Sequence, residues 1–143
     1  MHIVSIAVGQ KKGTRKTCVP QARLRAGHGV EGDAHAGDWH RQVSFLSAES
    51  IARVKGEGLD VDFGDFAENI ATSGIDWLQV EPGTRFKLGA QAEVEITQIG
   101  KTCHKKCAIY YHAGDCIMPR EGVFARVLVG GTIATGDPIS EMG

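Results

Sequence analysis

The stretch Ala92-Glu93-Val94-Glu95-Ile96-Thr97-Gln98-Ile99 alternates apolar and polar side chains without a break. A two-residue period of this kind marks a strand with one face buried and the other toward water. Working outward, the same period recurs in Arg85–Leu88 and Val123–Val129, and nearer the N-terminus in His2–Val8, Cys18–Leu24 and Gln42–Leu46. Breaks containing glycine separate these pieces, among them Gly27-His28-Gly29, Pro82-Gly83 and Gly130-Gly131, and glycine reaches the positive φ that tight turns need. One segment is helical in pattern, Ala48–Lys55. Ser47 suits its N-cap, Glu49 its first turn, Ile51 and Val54 lie three apart on one face, and Gly56 or Gly58 ends it. Many short strands with one or two short helices predict a mainly β fold and a β-rich barrel, since closing a sheet removes its exposed edges.

The chain has 143 residues, 42% of them hydrophobic, which suits a single domain, 1–143, with a real core. Lys and Arg number 16 against 17 Asp and Glu, for a net charge of −1, so no chain-wide field exists for gripping nucleic acid or an acidic membrane. Any anion site is local. Met1 to Val8 already alternate as a strand does, without the basic start and long apolar run of a signal peptide. No stretch approaches the roughly 18 apolar residues that cross a bilayer. A cytoplasmic location is expected, and there Cys18, Cys103, Cys107 and Cys116 are thiols rather than disulfides.

Three constellations can carry chemistry. In the first, Gly29-Val30-Glu31-Gly32-Asp33-Ala34-His35-Ala36-Gly37 runs into Trp39-His40-Arg41-Gln42-Val43. Its glycines allow a sharply folded loop where Asp33, His35 and Arg41 approach one another, and a carboxylate beside imidazole fixes a tautomer or raises basicity. A plain turn, with Asp33 accepting backbone N–H bonds, explains the same residues. In the second, Phe63-Gly64-Asp65-Phe66-Ala67-Glu68-Asn69-Ile70, the apolar neighbours bury at least one of Glu68 and Asn69. Either an internal hydrogen-bond anchor or a ligand contact fits, because buried polar groups are normally satisfied.

The third constellation is the most informative: Gly100-Lys101-Thr102-Cys103-His104-Lys105-Lys106-Cys107-Ala108-Ile109, continuing through His112 and Cys116 to Arg120-Glu121-Gly122. With Arg126 it makes a locally basic segment. Positive neighbours favour thiolate over thiol, so Cys103 suits a nucleophile, a sulfur carrier or a soft-metal ligand. Zinc held by Cys103, Cys107, Cys116 and a histidine is a competing reading, although the Cys-x3-Cys spacing matches no common zinc ribbon. Cys107 and Cys116 as small buried hydrophobes is another.

Taken in order, the 29–37 loop, Arg41-Gln42-Val43-Ser44, Phe66-Ala67-Glu68-Asn69-Ile70, Leu88-Gly89, Cys103, Arg120-x-Gly122-Val123-Phe124-Ala125-Arg126-Val127 and Gly136-Asp137 resemble the MOSC domain, named for the C-terminal domain of molybdenum cofactor sulfurase. The segment from Ile99 to Ile109 looks especially like the stand-alone bacterial branch of that family. The resemblance implies a single MOSC domain with a closed β-barrel of the pyruvate-kinase β-barrel type, and a cleft for molybdenum cofactor (molybdopterin). It makes Cys103 the catalytic thiol and a molybdenum ligand. It has Asp33, His35 and Arg41 line the pocket, Glu68 and Asn69 support it, and Lys101, Arg120 and Arg126 neutralise the pterin phosphate, with loop N–H groups adding to that cradle.

The implied activity is sulfur carriage or metal–sulfur cluster metabolism, with a cysteine desulfurase or other sulfur donor and with cofactor-biosynthesis or molybdoenzyme partners. The chain lacks the desulfurase domain of the larger relatives, so no pyridoxal phosphate is expected. Molybdenum-dependent reduction of N-hydroxylated compounds and a zinc-stabilised binding module are the alternatives. No nucleic-acid or membrane partner is expected.

Overall fold

The computed structural model describes residues 1–12, 14–100 and 121–142. Eleven strands and one α-helix follow in order: β1 His2–Val8, β2 Thr17–Val19, β3 Gln21–Arg25, β4 Gly29–Val30, β5 Val43–Ser47, α1 Ala48–Gly56, β6 Ile70–Ser73, β7 Arg85–Leu88, β8 Ala92–Ile99, β9 Val123–Val129, β10 Gly131–Ala134 and β11 Ile139–Met142. Among the described residues the fold is mainly β with one α-helix. Eight strands form a sheet in the order β11-β7-β8-β9-β5-β6-β1-β2, and β10-β3-β4 form a second. Hydrogen bonds from Ile3 N–H to Asp137 O at 2.9 Å and from Ile139 N–H to Met1 O at 3.0 Å bring the start of β11 against the start of β1. Among the described residues, no helix is long and apolar enough to cross a membrane.

The alternating stretches became strands because their apolar sides meet. In β8, Ala92, Val94 and Ile96 are buried with Val123, Ala125 and Val127 of β9 in the core between the sheets. The central strand β5 is covered on both faces. Val43 and Phe45 enter that core, whereas Leu46 joins Phe124, Phe66 and Ala71 beneath Ile51 and Val54 of α1. Burying those two helix side chains contributes roughly 2 kcal/mol each. Ser47 caps α1 by accepting from Ser50 N–H. The helix also provides the crossover that the parallel β5–β6 pair requires.

The expected single strand over Cys18–Leu24 is two strands. Pro20 has no N–H to give to a ladder, and there the chain leaves β2, which pairs with β1, for β3, which pairs with β10 in the other sheet. The short β4, β6, β10 and β11 carry too few alternations to stand out in the sequence.

Asn69 ties three of these elements together. Its Oδ1 accepts from Ser44 N–H at 3.0 Å, its Nδ2 donates to Ala7 O at 3.1 Å, and its own N–H donates to Ser44 Oγ at 2.9 Å. Only 1% of the residue is exposed, so water cannot replace a lost partner. Asn69→Ala is therefore expected to lower stability by about 3 kcal/mol, the cost of stranding a buried N–H and a buried carbonyl. Urea denaturation measures this, and Gln79→Ala on the exposed surface should change little.

Candidate functional site

The glycine loop leaves β4 and is organised from inside by Asp33. Its Oδ1 accepts from Gly9 N–H at 2.9 Å and from Lys16 Nζ at 2.7 Å, and its Oδ2 accepts from His35 N–H at 3.0 Å. The side chains of Lys16 and Asp33 are both 0% exposed. Burial alone pushes a carboxyl pKa up. Here the His35 N–H, the Lys16 ammonium and the Gly9 N–H outweigh it and hold Asp33 far below the usual carboxylate range. Lys16 Nζ also lies 3.1 Å from His35 Nδ1, closer than the 3.7 Å between that nitrogen and Asp33 Oδ2.

Lys16 is held in turn by a second loop. Its N–H donates to Gly64 O at 2.8 Å. Gly64 has φ +88°, and a Cβ there would stand 2.4 Å from Lys16 O, so only glycine fits the approach. Glu68 clamps this loop: Oε2 accepts from Gly64 N–H at 2.7 Å and Oε1 from Phe66 N–H at 3.2 Å. Burial is the largest influence on Glu68, the nearby Asp65 adds to it, and despite the backbone donors its pKa is pushed up to about 7.

Beside the Asp33–Lys16 pair lies an aromatic surface ringed by cations. Trp39 Nε1 donates to His35 O at 2.7 Å, and its ring is parallel to that of His35 with centroids 6.4 Å apart. Lys12 Nζ sits 4.5 Å from the Trp39 ring centre. The Arg41 guanidinium lies 6.0 Å from Trp39 and 5.2 Å from Phe124, within reach of cation–π attraction. Gln98 at the end of β8 fixes this side, since its Oε1 accepts from Arg41 Nε and from His40 Nε2, each at 3.0 Å. Gln98 Nε2 donates to Gly100 O at 2.8 Å, and Gly100 N–H donates to Gly122 O at 2.6 Å. The chain thus leaves and re-enters the β8–β9 ladder beside Arg41.

Of the residues singled out in the sequence, Asp33, His35 and Arg41 come together through Lys16 and Trp39. Glu68 and Asn69 are internal, and every contact given above for their side chains is to backbone or to Ser44. Arg126 stands on the exposed face of β9 and pairs with Glu95 at 2.7 Å, a carboxylate that Arg85 also approaches. Lys101, Cys103 and Arg120 lie outside the described residues, as do His104, Cys107, His112 and Cys116. The expected phosphate cradle of loop N–H groups is not formed by the core of the loop. Asp33, Ala34, Ala36 and Gly37 donate their N–H groups to carbonyls within the protein, and His35 donates its own to Asp33, so these five N–H groups are not turned toward a ligand.

Lys16, Gln98 and Lys12 were not legible as site residues. Lysine is rarely buried unless paired, and nothing in Lys11-Lys12-Gly13-Thr14-Arg15-Lys16 marks which cation turns inward. Among the described residues no group of three or more His, Cys, Asp or Glu is placed to hold a metal ion. Two surface cavities of about 570 Å³ lie elsewhere, one beside α1 at Arg53 and Leu78, the other beside β3 and β10 at Arg23 and Gly131.

The two buried carboxyls give stability opposite pH dependences. Asp33, with a lowered pKa, contributes stability that is full above the unfolded value near 3.8 and is lost as the pH falls below it. Glu68, raised from 4.5 to about 7, binds a proton more tightly folded than unfolded, so stability falls as the pH rises through that interval, by about 3 kcal/mol at most. Urea midpoints are expected to drop between about pH 5 and pH 8. In Glu68→Gln that slope should vanish whatever the absolute stability of the variant, and in Asp33→Asn the loss on the acid side should shrink.

Comparison with known proteins bears on identity. No curated protein sequence matches the chain. The structure resembles the YuaD protein from Bacillus subtilis at a TM-score of 0.77 and 18% identity, over 96% of this chain and 93% of that one. It also resembles YiiM from Geobacillus stearothermophilus at 0.75 and 23%, over 99% and 75% of the two chains, and YiiM from Escherichia coli at 0.68 and 22%, over 100% and 70%. Such identities speak for the fold. The sequence model of the MOSC domain matches residues 31–140, a span that contains the Asp33 loop, Arg41, Glu68, Asn69 and both strands flanking the Cys103 segment, and the chain belongs to the MOSC domain family.

Proposed function

We propose that this chain binds molybdenum cofactor and carries sulfur on Cys103. MOSC domains as a family are associated with molybdenum cofactor. The observation that supports the reading most directly is the cationic aromatic surface around Trp39. A flat pterin ring system with a phosphate offers a π-face and a dianion, and Trp39 beside Lys12 and Arg41 is the complementary chemistry. When bound, the cofactor supplies a redox-active metal centre.

In this reading Arg41 and Lys12 offset the phosphate charge, and Lys101 and Arg120 add to them. Arg126 adds less, because Glu95 already engages it. His35 lines the pocket with Asp33 buried behind it, and Glu68 and Asn69 support it from within, Glu68 through Gly64 and Lys16. The thiolate is assigned to Cys103 because that residue stands where the family pattern has its marked cysteine. That thiolate attacks the outer sulfur of a persulfide, as a cysteine desulfurase would present. The donor's S–S bond breaks, the donor leaves as a thiolate, and the outer sulfur with its proton becomes the Cys103 persulfide. Closure of the eight-stranded sheet into a barrel belongs to the same reading, supported by the bonds of Met1 and Ile3 to residues 137–139.

Intact-mass and elemental analysis of anaerobically purified protein tests the proposal. Molybdenum with pterin, or the added mass of one sulfur atom, should be present and should be lost in Cys103→Ala; stoichiometric zinc with a bare thiol mass would overturn it. Arg41→Ala is expected to weaken cofactor binding several-fold at low salt and by less at high salt, since exposed charges are screened, as read from Trp39 fluorescence.

A further inference from the structure

The buried ammonium of Lys16 meets a ring nitrogen that must accept from it. Lys16 Nζ is 2.7 Å from Asp33 Oδ1 and 3.1 Å from His35 Nδ1. An ammonium has three hydrogens and no lone pair, so the short contact with Nδ1 is a hydrogen bond only if Nδ1 carries no proton. Asp33 Oδ2, at 3.7 Å from Nδ1, is too far to accept a hydrogen from it, and that oxygen is already occupied by His35 N–H. Trp39 fixes the rest of the residue, through its bond to His35 O and its parallel ring. Among the described residues Nε2 makes no hydrogen bond, and the side chain keeps 13% exposure.

We infer that Lys16 is a positioning residue that locks His35 in the tautomer bearing its proton on Nε2, so that His35 presents a hydrogen-bond donor to the ligand and not a lone pair to a metal ion. Without Lys16 the Asp33 carboxylate would be the charged group that the described residues place nearest the ring. It would draw the proton to Nδ1 and turn a basic Nε2 outward, the arrangement of a general base or a metal ligand. One lysine therefore decides which of two opposite chemistries the imidazole offers. With Nε2–H, the atom it receives is an acceptor, such as a phosphate oxygen or a ring carbonyl. The inference holds whichever acceptor occupies the site, so its test is separable from that of the cofactor reading.

Two-bond ¹⁵N–¹H correlation spectra of the intact protein, labelled in its histidine rings and recorded near neutral pH, read the tautomer directly. The His35 signals, assigned by their loss in His35→Gln, should show a protonated Nε2 and an acceptor Nδ1. A proton on Nδ1, in the neutral ring or the imidazolium, would overturn the inference. Lys16→Met, which removes the ammonium and leaves the Asp33 carboxylate beside the ring, is the companion measurement, with circular dichroism as its check that the fold is kept. Its His35 Nδ1 resonance should move from the acceptor range toward the protonated range. An unchanged tautomer there would show that Lys16 does not set it and would equally overturn the inference.

Discussion

The buried ion pair of Lys16 with Asp33 is the contact on which the site's geometry depends. Taking both charges out of water is costly, and attraction between them recovers that cost only with good geometry and with their remaining hydrogen-bonding groups satisfied. Both conditions hold. Asp33 accepts from the backbone at both oxygens, and Lys16 divides its hydrogens between Asp33 and His35. The pair joins three segments distant in sequence: the turn at Gly9, the loop at 33–35 and, through the Lys16 backbone, the loop at Gly64. An apolar pair of the same size could pack there. It could not dictate where each of three loops must stop, and that selectivity is what a ligand site needs.

The sheet explains why these segments meet at all. β1 and β2 are neighbours at one edge, and the chain between them must turn sharply at Gly9 to Lys16. Pro20 then sends β3 into the second sheet, whose partner β4 delivers the 31–41 loop back to that turn. From the opposite direction, β5 pairs in parallel with β6, and the return from α1 brings Gly64 and Glu68 underneath. Asn69, bonded to Ala7 and Ser44, holds that return in register with β1 and β5. Loops placed by three independent strand junctions converge on one buried carboxylate.

How far this was legible in the sequence follows from where its information lies. Arg85–Leu88 and Ala92–Ile99 were readable to the residue, because each has a buried face with a period of two, and His2–Val8 and Val123–Val129 have the expected bounds although consecutive residues in each are buried on both faces. Ile51 and Val54 showed the helix face for the equivalent reason. β4 and β6 were not, since two and four residues carry almost no periodic signal. In the site, Asp33, His35 and Arg41 stood out because glycine spacing marks a folded loop. Lys16 did not, because its role comes from a contact across seventeen residues, and in the sequence it is one of several cations in a row. The basic character read in residues 100–126 had a counterpart in Lys11 to Lys16. Only the fold shows that Lys12 turns to Trp39 while Lys16 turns inward.

Asp33 and Glu68 show how much one cation decides. Each is a buried carboxylate, and each accepts two backbone N–H bonds. On those bonds alone both would be held ionised to a similar degree. Their pKa values instead move in opposite directions. Glu68 lies deeper, no described cation is among the groups acting on it, and Asp65 is its charged neighbour. Asp33 has Lys16 at 2.7 Å. The same side-chain chemistry thus yields a permanent anion at the site and a protonatable clamp beneath it, and the two are joined through one residue, since the loop that Glu68 clamps is the one that holds the Lys16 backbone. A proton taken up at Glu68 weakens the grip on Gly64, and the first group to feel a shift of Gly64 is the lysine that fixes Asp33 and His35.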